Sequence, residues 1–380
     1  MPAKTIKVMI PLMPGPEHIR PWLEIIHSNR FYTNFGPLVC RLEEQLHSFL
    51  AVESGASLTT IANATQGLEV ALMTSGLPPA SRILLPALTF AATATAIVRC
   101  GHRPVFADVD SATWLLTPDA AVQVIDKHDC AAVMPVAAFG AAQDSAEWAS
   151  FSRYTDKPVI IDAAGAFGNQ GCDRGVMTIF SLHATKSLGC GEGGLAVGPR
   201  DWVGRMRTAS NFGLGSPEGI VYAGTNAKMS EYHAAVGLAA MELWSKSTER
   251  RRRLHQRYLR RLEPYRDRIT TQQRPAGGIY TIFPVLLPPG TDVARVAAQM
   301  AEQGIETRRW YHPLLPDHPA FRGGAHAGEL HCARDISERL IGLPFHPFLS
   351  DDDIETVIAV TMGCLDNTLR HPEVVQLDHT

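Results

Sequence analysis

Between Leu58 and Gly198 the chain alternates short apolar runs with helical spacing, and this alternation constrains the fold more than any other feature. The runs are LTTIA (58–62), RILLP (82–86), PVFADV (104–109), AAVMPVA (131–137), PVIID (158–162), TIFSLH (178–183) and GLAVG (194–198). Apolar runs of this length fit strands covered on both faces, and helical segments between them fit crossovers of a parallel sheet. The expectation is a large three-layer α/β unit with a mostly parallel seven-stranded sheet. One helix shows its start plainly, with Thr117 as N-cap and Pro118 at the first helical position.

After Asn226 the pattern changes to MSEYHAAVGLAAMELWSKSTERRRRLHQRYLRRL, too long for one globular helix without a bend. We read it as the bridge between two units, 1–245 with the N-terminal arm and 246–380. The second unit contains GIYTIFPVLL, DVARVAAQMAEQG, IETRRWY and a helix after Ser350 whose first turn is acidic, as the helix dipole prefers. It reads as a smaller C-terminal α+β domain.

Composition narrows the function classes. The chain is 45% hydrophobic and 19% charged with a net charge of −3, which leaves no electrostatic footprint for nucleic acid or an anionic membrane. The opening MPAKTIKVMIPLMPGP carries apolar residues interrupted by Pro11 and Pro14, so a cytoplasmic protein acting on small molecules is expected. Seven cysteines without C-x-x-C spacing argue against a disulfide framework or a zinc site. His312, His318, His326 and His331 lack the spacing of a metal site, and the basic run Arg250–Arg253 reads as a solvated helix face.

The segment SLHATKSLGCGEGG, 181–194, offers two readings. Gly189, Gly191 and Gly194 spell G-x-G-x-x-G, but a dinucleotide site needs these glycines directly between a strand and a helix. Here residues 184–188 separate the preceding strand from Gly189, and the glycines run into β-like sequence. Lys186 is the better candidate. It stands in a loop leaving a strand, and Asp162 lies at the carboxyl end of another strand, where open α/β sheets bind ligands.

A lysine nucleophile with a buried aspartate is what pyridoxal 5'-phosphate requires: the lysine forms a Schiff base and the carboxylate keeps the pyridine nitrogen protonated. The cofactor also needs a phosphate site and a ring clamp. NATQGLEVAL follows a strand and opens a helix, so the N–H groups near Ala64 and Thr65, with the Thr65 hydroxyl, suit a dianion. Phe90 stands just past another strand, where an aromatic ring could stack.

With NFGPLVCRLEEQL, PALTFAATATAIVRCGHRPVFADVD, VIIDAAGAFG, FSLHATKSLGCGEGG, GTNAKMSEYHAAVGLAAMELW and IGLPFHPFLSDDDI, the chain resembles the DegT/DnrJ/EryC1/StrS family of sugar aminotransferases, of fold type I. The resemblance implies that Lys186 links to the cofactor, Asp162 pairs with its ring nitrogen, Phe90 lies over the ring, and Ala64, Thr65 and Ser181 meet the phosphate. It implies a homodimer with shared sites in which Asn226 reaches the neighbouring cofactor. Because the lysine is retained, it implies transamination, from an amino donor expected to be glutamate to a keto-sugar expected to travel on a nucleoside diphosphate, with ping-pong kinetics. Lys228 is a candidate for the diphosphate and His312 for the site lining.

Two departures stand out. The family usually has Gln or His three residues after the aspartate, on the cofactor's 3-hydroxyl, and here that position is Gly165; either water or His183 would substitute. The usual glycine of the phosphate motif is Ala64. Two further readings follow: the same cofactor acting on a cyclitol or cyclic aminoketo acid, and a non-catalytic cofactor-binding regulator.

Overall fold

The computed structural model describes residues 5–370 except Ser216, Glu218 and Ala276, so the outer ends of both expected units lie outside the described residues. Helices α1 (Pro16–Asn29) and α2 (Pro37–Phe49) precede strand β1 (Ala56–Ile61). Then come α3 (Ala64–Met73), β2 (Arg82–Pro86), α4 (Ala91–Arg99), β3 (Arg103–Ala107), α5 (Pro118–Ile125), β4 (Cys130–Val133), α6 (Ser145–Thr155), β5 (Ile160–Asp162), β6 (Met177–Ser181), β7 (Gly194–Pro199) and α7 (Arg200–Ala209).

Two four-stranded ladders, β1-β7-β6-β5 and β10-β3-β2-β4, form the large unit, β10 being Ala325–His326. Parallel bridges Val133–Val159 and Val136–Asp162 join them, so the seven strands expected from sequence lie in the order β1-β7-β6-β5-β4-β2-β3. Only β7 runs against its neighbours. The strands are buried on both faces: Leu68, Ile97, Met177 and Ile179 belong to one apolar layer, Leu42, Phe180, Val197 and Leu238 to the other. The eighth strand, β10, was not expected; two exposed residues pairing along β3 carry no readable periodicity, and they cover an open edge.

The helix starts follow local chemistry. Thr117 caps α5 by accepting from Ala120 N–H, and Asn63 caps α3 by accepting from Gln66 N–H. The long segment after Asn226 does break, into α8 (Glu231–Glu242) and α9 (Trp244–Leu262). Glu231, 1% exposed, puts its two carboxylate oxygens 2.9 Å from the N–H groups of Leu38 and Val39, which satisfies the start of α2 and the charge together.

The C-terminal residues build an antiparallel sheet, β8 (Thr270–Thr271), β9 (Phe283–Leu286) and β11 (Leu340–Leu343), covered by α9, α10 (Val293–Glu302) and α12 (Asp351–Arg370), with α11 (His331–Arg339) beside β10 and β3 through Asp108, which accepts from Cys332 and Ala333 N–H. The N-terminal arm also joins this sheet's core, through a bridge from Ile6 to Ile305 and a Phe345 N–H bond to Val8. No helix among the described residues is long and apolar enough to cross a membrane.

His255 lies in this core, 3% exposed and 4.6 Å from the Tyr280 ring. Burial, and then the Arg274 charge, push its pKa down to about 3. The unfolded chain takes up this proton near pH 6.5. The stabilising contribution is therefore whole above about pH 6.5 and is lost as pH falls toward 3, at about 1.4 kcal/mol per pH unit. His255→Phe is expected to remove that slope, which urea denaturation across the window would measure.

Candidate active site

The carboxyl ends of β1, β2, β5 and β6 converge on one side of the sheet, where open α/β folds bind ligands. Asp162 ends β5 and is 4% exposed. Thr93 Oγ1 donates to its Oδ2 at 2.7 Å and Ala164 N–H to its Oδ1 at 3.1 Å. No helix follows Asp162, so it is not a helix cap. Burial raises its pKa from the ordinary carboxylate range, against the pull of the Thr93 and Ala164 hydrogen bonds and of the Lys186 charge.

Lys186 occupies the loop between β6 and β7. Backbone bonds from Leu182 N–H to Gly193 O, Ala184 N–H to Gly191 O and Lys186 N–H to His183 O, each 2.8 Å, fold the loop onto itself. Ser187 Oγ ties it to Phe167 O at 2.7 Å. The side chain is partly accessible, but the protein around its ammonium desolvates it, so its pKa is pushed down; the Asp162 charge offsets this only in part. The pair therefore holds a lysine that gives up its proton more readily than usual beside a carboxyl that gives its own up less readily.

The glycines around the lysine serve packing. Gly191 has φ of +93°, a conformation costly for other residues. Gly194 pairs with Ser181 across β6 and β7, and a Cβ on it would lie 2.7 Å from Asn63 C and 2.9 Å from Ala64 N. The missing side chain lets the start of α3 press against the sheet. Asn63 caps Gln66 N–H, so the N–H groups of Ala64 and Thr65 and the Thr65 hydroxyl have no acceptor or donor among the described residues. This helix start, with its positive dipole end, is chemically a dianion site. Ser181, 6% exposed, lies at the adjoining end of β6.

Phe90 directly precedes α4 and is 64% exposed, a large ring with no partner among the described aromatics. One turn later the same helix supplies Thr93 to Asp162, so a single element places both. Asn226 is exposed and sits by the start of α3, since Ala62 N–H bonds to Ala227 O at 2.7 Å. Lys228 Nζ lies 4.8 Å from the Phe212 ring centroid, and burial lowers its pKa.

Two of the expected residues turn elsewhere. His183 Nδ1 accepts from Thr185 N–H at 3.2 Å and contacts Thr185 Oγ1 at 2.8 Å, leaving Nε2 toward Glu192 Oε1 at 3.7 Å. His312 is exposed, with Nδ1 3.2 Å from Ser337 Oγ. Two residues not singled out in the sequence do face the site. Thr93 is one; its only trace was a second threonine, Thr89, four positions back, whose hydroxyl lies 3.0 Å away. The other is Tyr311, beside His312, whose phenol is held above its ordinary pKa by burial and by the Asp162 charge.

Comparison with known proteins gives matches over most of the chain. A dTDP-4-amino-4,6-dideoxy-D-glucose transaminase of Shigella dysenteriae is 30% identical over 365 residues, covering 94% of this chain and 98% of that protein. A pleiotropic regulatory protein of Geobacillus stearothermophilus is 27% identical over 351 residues, 90% of this chain and 93% of the relative. The crystal structure of DesI in the presence of its TDP-sugar product superposes with a TM-score of 0.86 at 27% identity, covering 97% of this chain and 96% of that one. The fold is that of the pyridoxal-phosphate-dependent aminotransferases. Residues 16–361 match a single family description, and the chain belongs to the DegT/DnrJ/EryC1/StrS aminotransferase family.

Proposed function

We propose that this protein is a pyridoxal-phosphate-dependent sugar aminotransferase that takes its amino group from an amino acid, with glutamate as donor, and delivers it to a keto-sugar carried on a nucleoside diphosphate. The observation that carries the reading is the buried Asp162 with a desolvated Lys186 beside it, next to a helix start where the N–H groups of Ala64 and Thr65 have no acceptor among the described residues. Relatives named as a dTDP-sugar transaminase and as a protein crystallised with a TDP-sugar product support the sugar and its nucleotide carrier.

The residues fit the cofactor. Ala64, Thr65 and Ser181 would hold its phosphate, Phe90 would cover its ring, Asp162 would sit at the ring nitrogen and Lys186 would form the covalent link. When bound, the pyridinium ring withdraws electrons from the carbon that bears the amino group. Asp162 keeps the ring nitrogen protonated, and Thr93 and Ala164 hold the carboxylate in place. The Lys186 amine, whose pKa burial lowers, gives up its proton more readily than an ordinary lysine, which suits it to carry the proton from and to the substrate carbon. Asn226 and Lys228 serve the site of a second copy. The exposed apolar side chains near them, Phe212, Ile220 and Val221, suit such an interface.

The open α3 start depends on Gly194. Gly194→Ala would push its Cβ into the Asn63–Ala64 backbone, and pyridoxal phosphate affinity, read by absorbance titration, is expected to fall at least about tenfold.

The decisive assay adds L-glutamate to the holoenzyme and then a panel of nucleotide-linked keto-sugars and keto-cyclitols. The expected result is loss of the visible band with glutamate and its return with a nucleotide-linked keto-sugar. Return with cyclitols alone would redirect the substrate class. A visible band that responds to no donor would contradict catalysis and favour a regulator, the role named for the Geobacillus relative.

A further inference from the structure

Gly165, three residues after Asp162, has no side chain to offer a bound ring. A Cβ at this position would meet Gly140 N at 3.5 Å, an ordinary contact, so the backbone does not forbid a side chain here. The flanking turn, Ala138–Gly140, follows Ala137, whose N–H donates to the Asp162 carbonyl at 2.9 Å. Its central residue, Phe139, lies against Tyr311 with ring centroids 4.8 Å apart and planes at 32°. Tyr311 is thus packed, at a tilt, on the turn that runs past both Asp162 and Gly165.

Both aromatic residues are held in the left-handed region, Phe139 at φ of 57° and Tyr311 at 62°. Such conformations cost about 1–3 kcal/mol each and persist where the surroundings impose them. Arg274 Nη1 donates to Phe139 O at 3.0 Å, and Ser337 Oγ donates to Tyr311 O at 2.8 Å. The Tyr311 hydroxyl has no hydrogen-bond partner among the described residues. Burial and the Asp162 charge keep it protonated, and therefore a donor. His183, the other candidate, is held at Nδ1 by Thr185, with Nε2 3.7 Å from Glu192 Oε1.

We propose that the Tyr311 hydroxyl donates to the 3-oxygen of the bound pyridoxal ring, the contact that residue 165 cannot make, and so sets the pH at which the Lys186-linked cofactor changes its visible spectrum. The inference rests on the pyridoxal-phosphate reading above. The charged groups facing this position are Asp162 from β5, Lys186 from the lysine loop and, behind Phe139, Arg274; His312 is turned to Ser337.

The test is a pH titration of the visible absorbance of the full-length holoenzyme. A donor on the 3-oxygen favours its unprotonated state, so Tyr311→Phe, which keeps the ring contact with Phe139, is expected to raise the midpoint by about one pH unit, a tenfold change. Adding Gly165→Gln to Tyr311→Phe is expected to bring the midpoint back. An unmoved midpoint in Tyr311→Phe, or a shift caused by His183→Gln and not by Tyr311→Phe, would overturn the proposal. Absence of a visible band in the parent protein would overturn both the proposal and the functional reading beneath it.

Discussion

Lys186→Ala is expected to lower transamination by about 10⁴-fold or more, since under the proposed function it would remove both the covalent link and the proton carrier. The fold should survive. The lysine loop is held by backbone bonds among Leu182, His183, Ala184, Gly191 and Gly193 and by Ser187 on Phe167, none of which uses the lysine side chain. Burial disfavours the Lys186 ammonium, so its removal is expected to leave the thermal midpoint unchanged or higher. Steady-state rates with glutamate and a keto-sugar, beside thermal denaturation, separate the two effects. Retained transamination would remove Lys186 from the mechanism.

Asp162→Asn is the second large effect. The amide keeps the shape of the carboxylate but loses the charge that, under the proposed function, would hold a ring nitrogen protonated, and a loss of about 10²–10³-fold in rate is expected. Stability should move the other way. The folded pKa of Asp162 is raised by burial, so between its unfolded value near 3.9 and that raised value the native chain binds the extra proton, and stability falls as pH rises through the window. In Asp162→Asn this loss is absent. The variant is expected to match the parent near pH 4 and to exceed it at neutral pH in chemical denaturation.

Much of the fold, and the position of the candidate residues along it, was legible, because both follow from short-range rules. The seven large-sheet strands are continuous apolar runs; Asp162 closes one of them and Lys186 stands in the loop that follows another. The G-x-G-x-x-G around Lys186 misleads only if spacing is considered without context. In the structure Gly194 answers to the backbone of Asn63 and Ala64, a contact between segments far apart in sequence. The features that escaped notice depend on such distant contacts. Thr93 reaches Asp162 across 69 positions. Tyr311, itself left-handed and held at its carbonyl by Ser337, packs on Phe139, while the adjacent His312 is exposed, a placement that only contacts between distant segments produce. Strand β10 is two residues long and exists by pairing with β3.

Borohydride reduction of the holoenzyme followed by peptide mass spectrometry tests the central claim most directly. The account predicts that the pyridoxyl phosphate mass is fixed on the peptide carrying Lys186. Its attachment to another lysine, or to none in a protein that binds the cofactor, would contradict it.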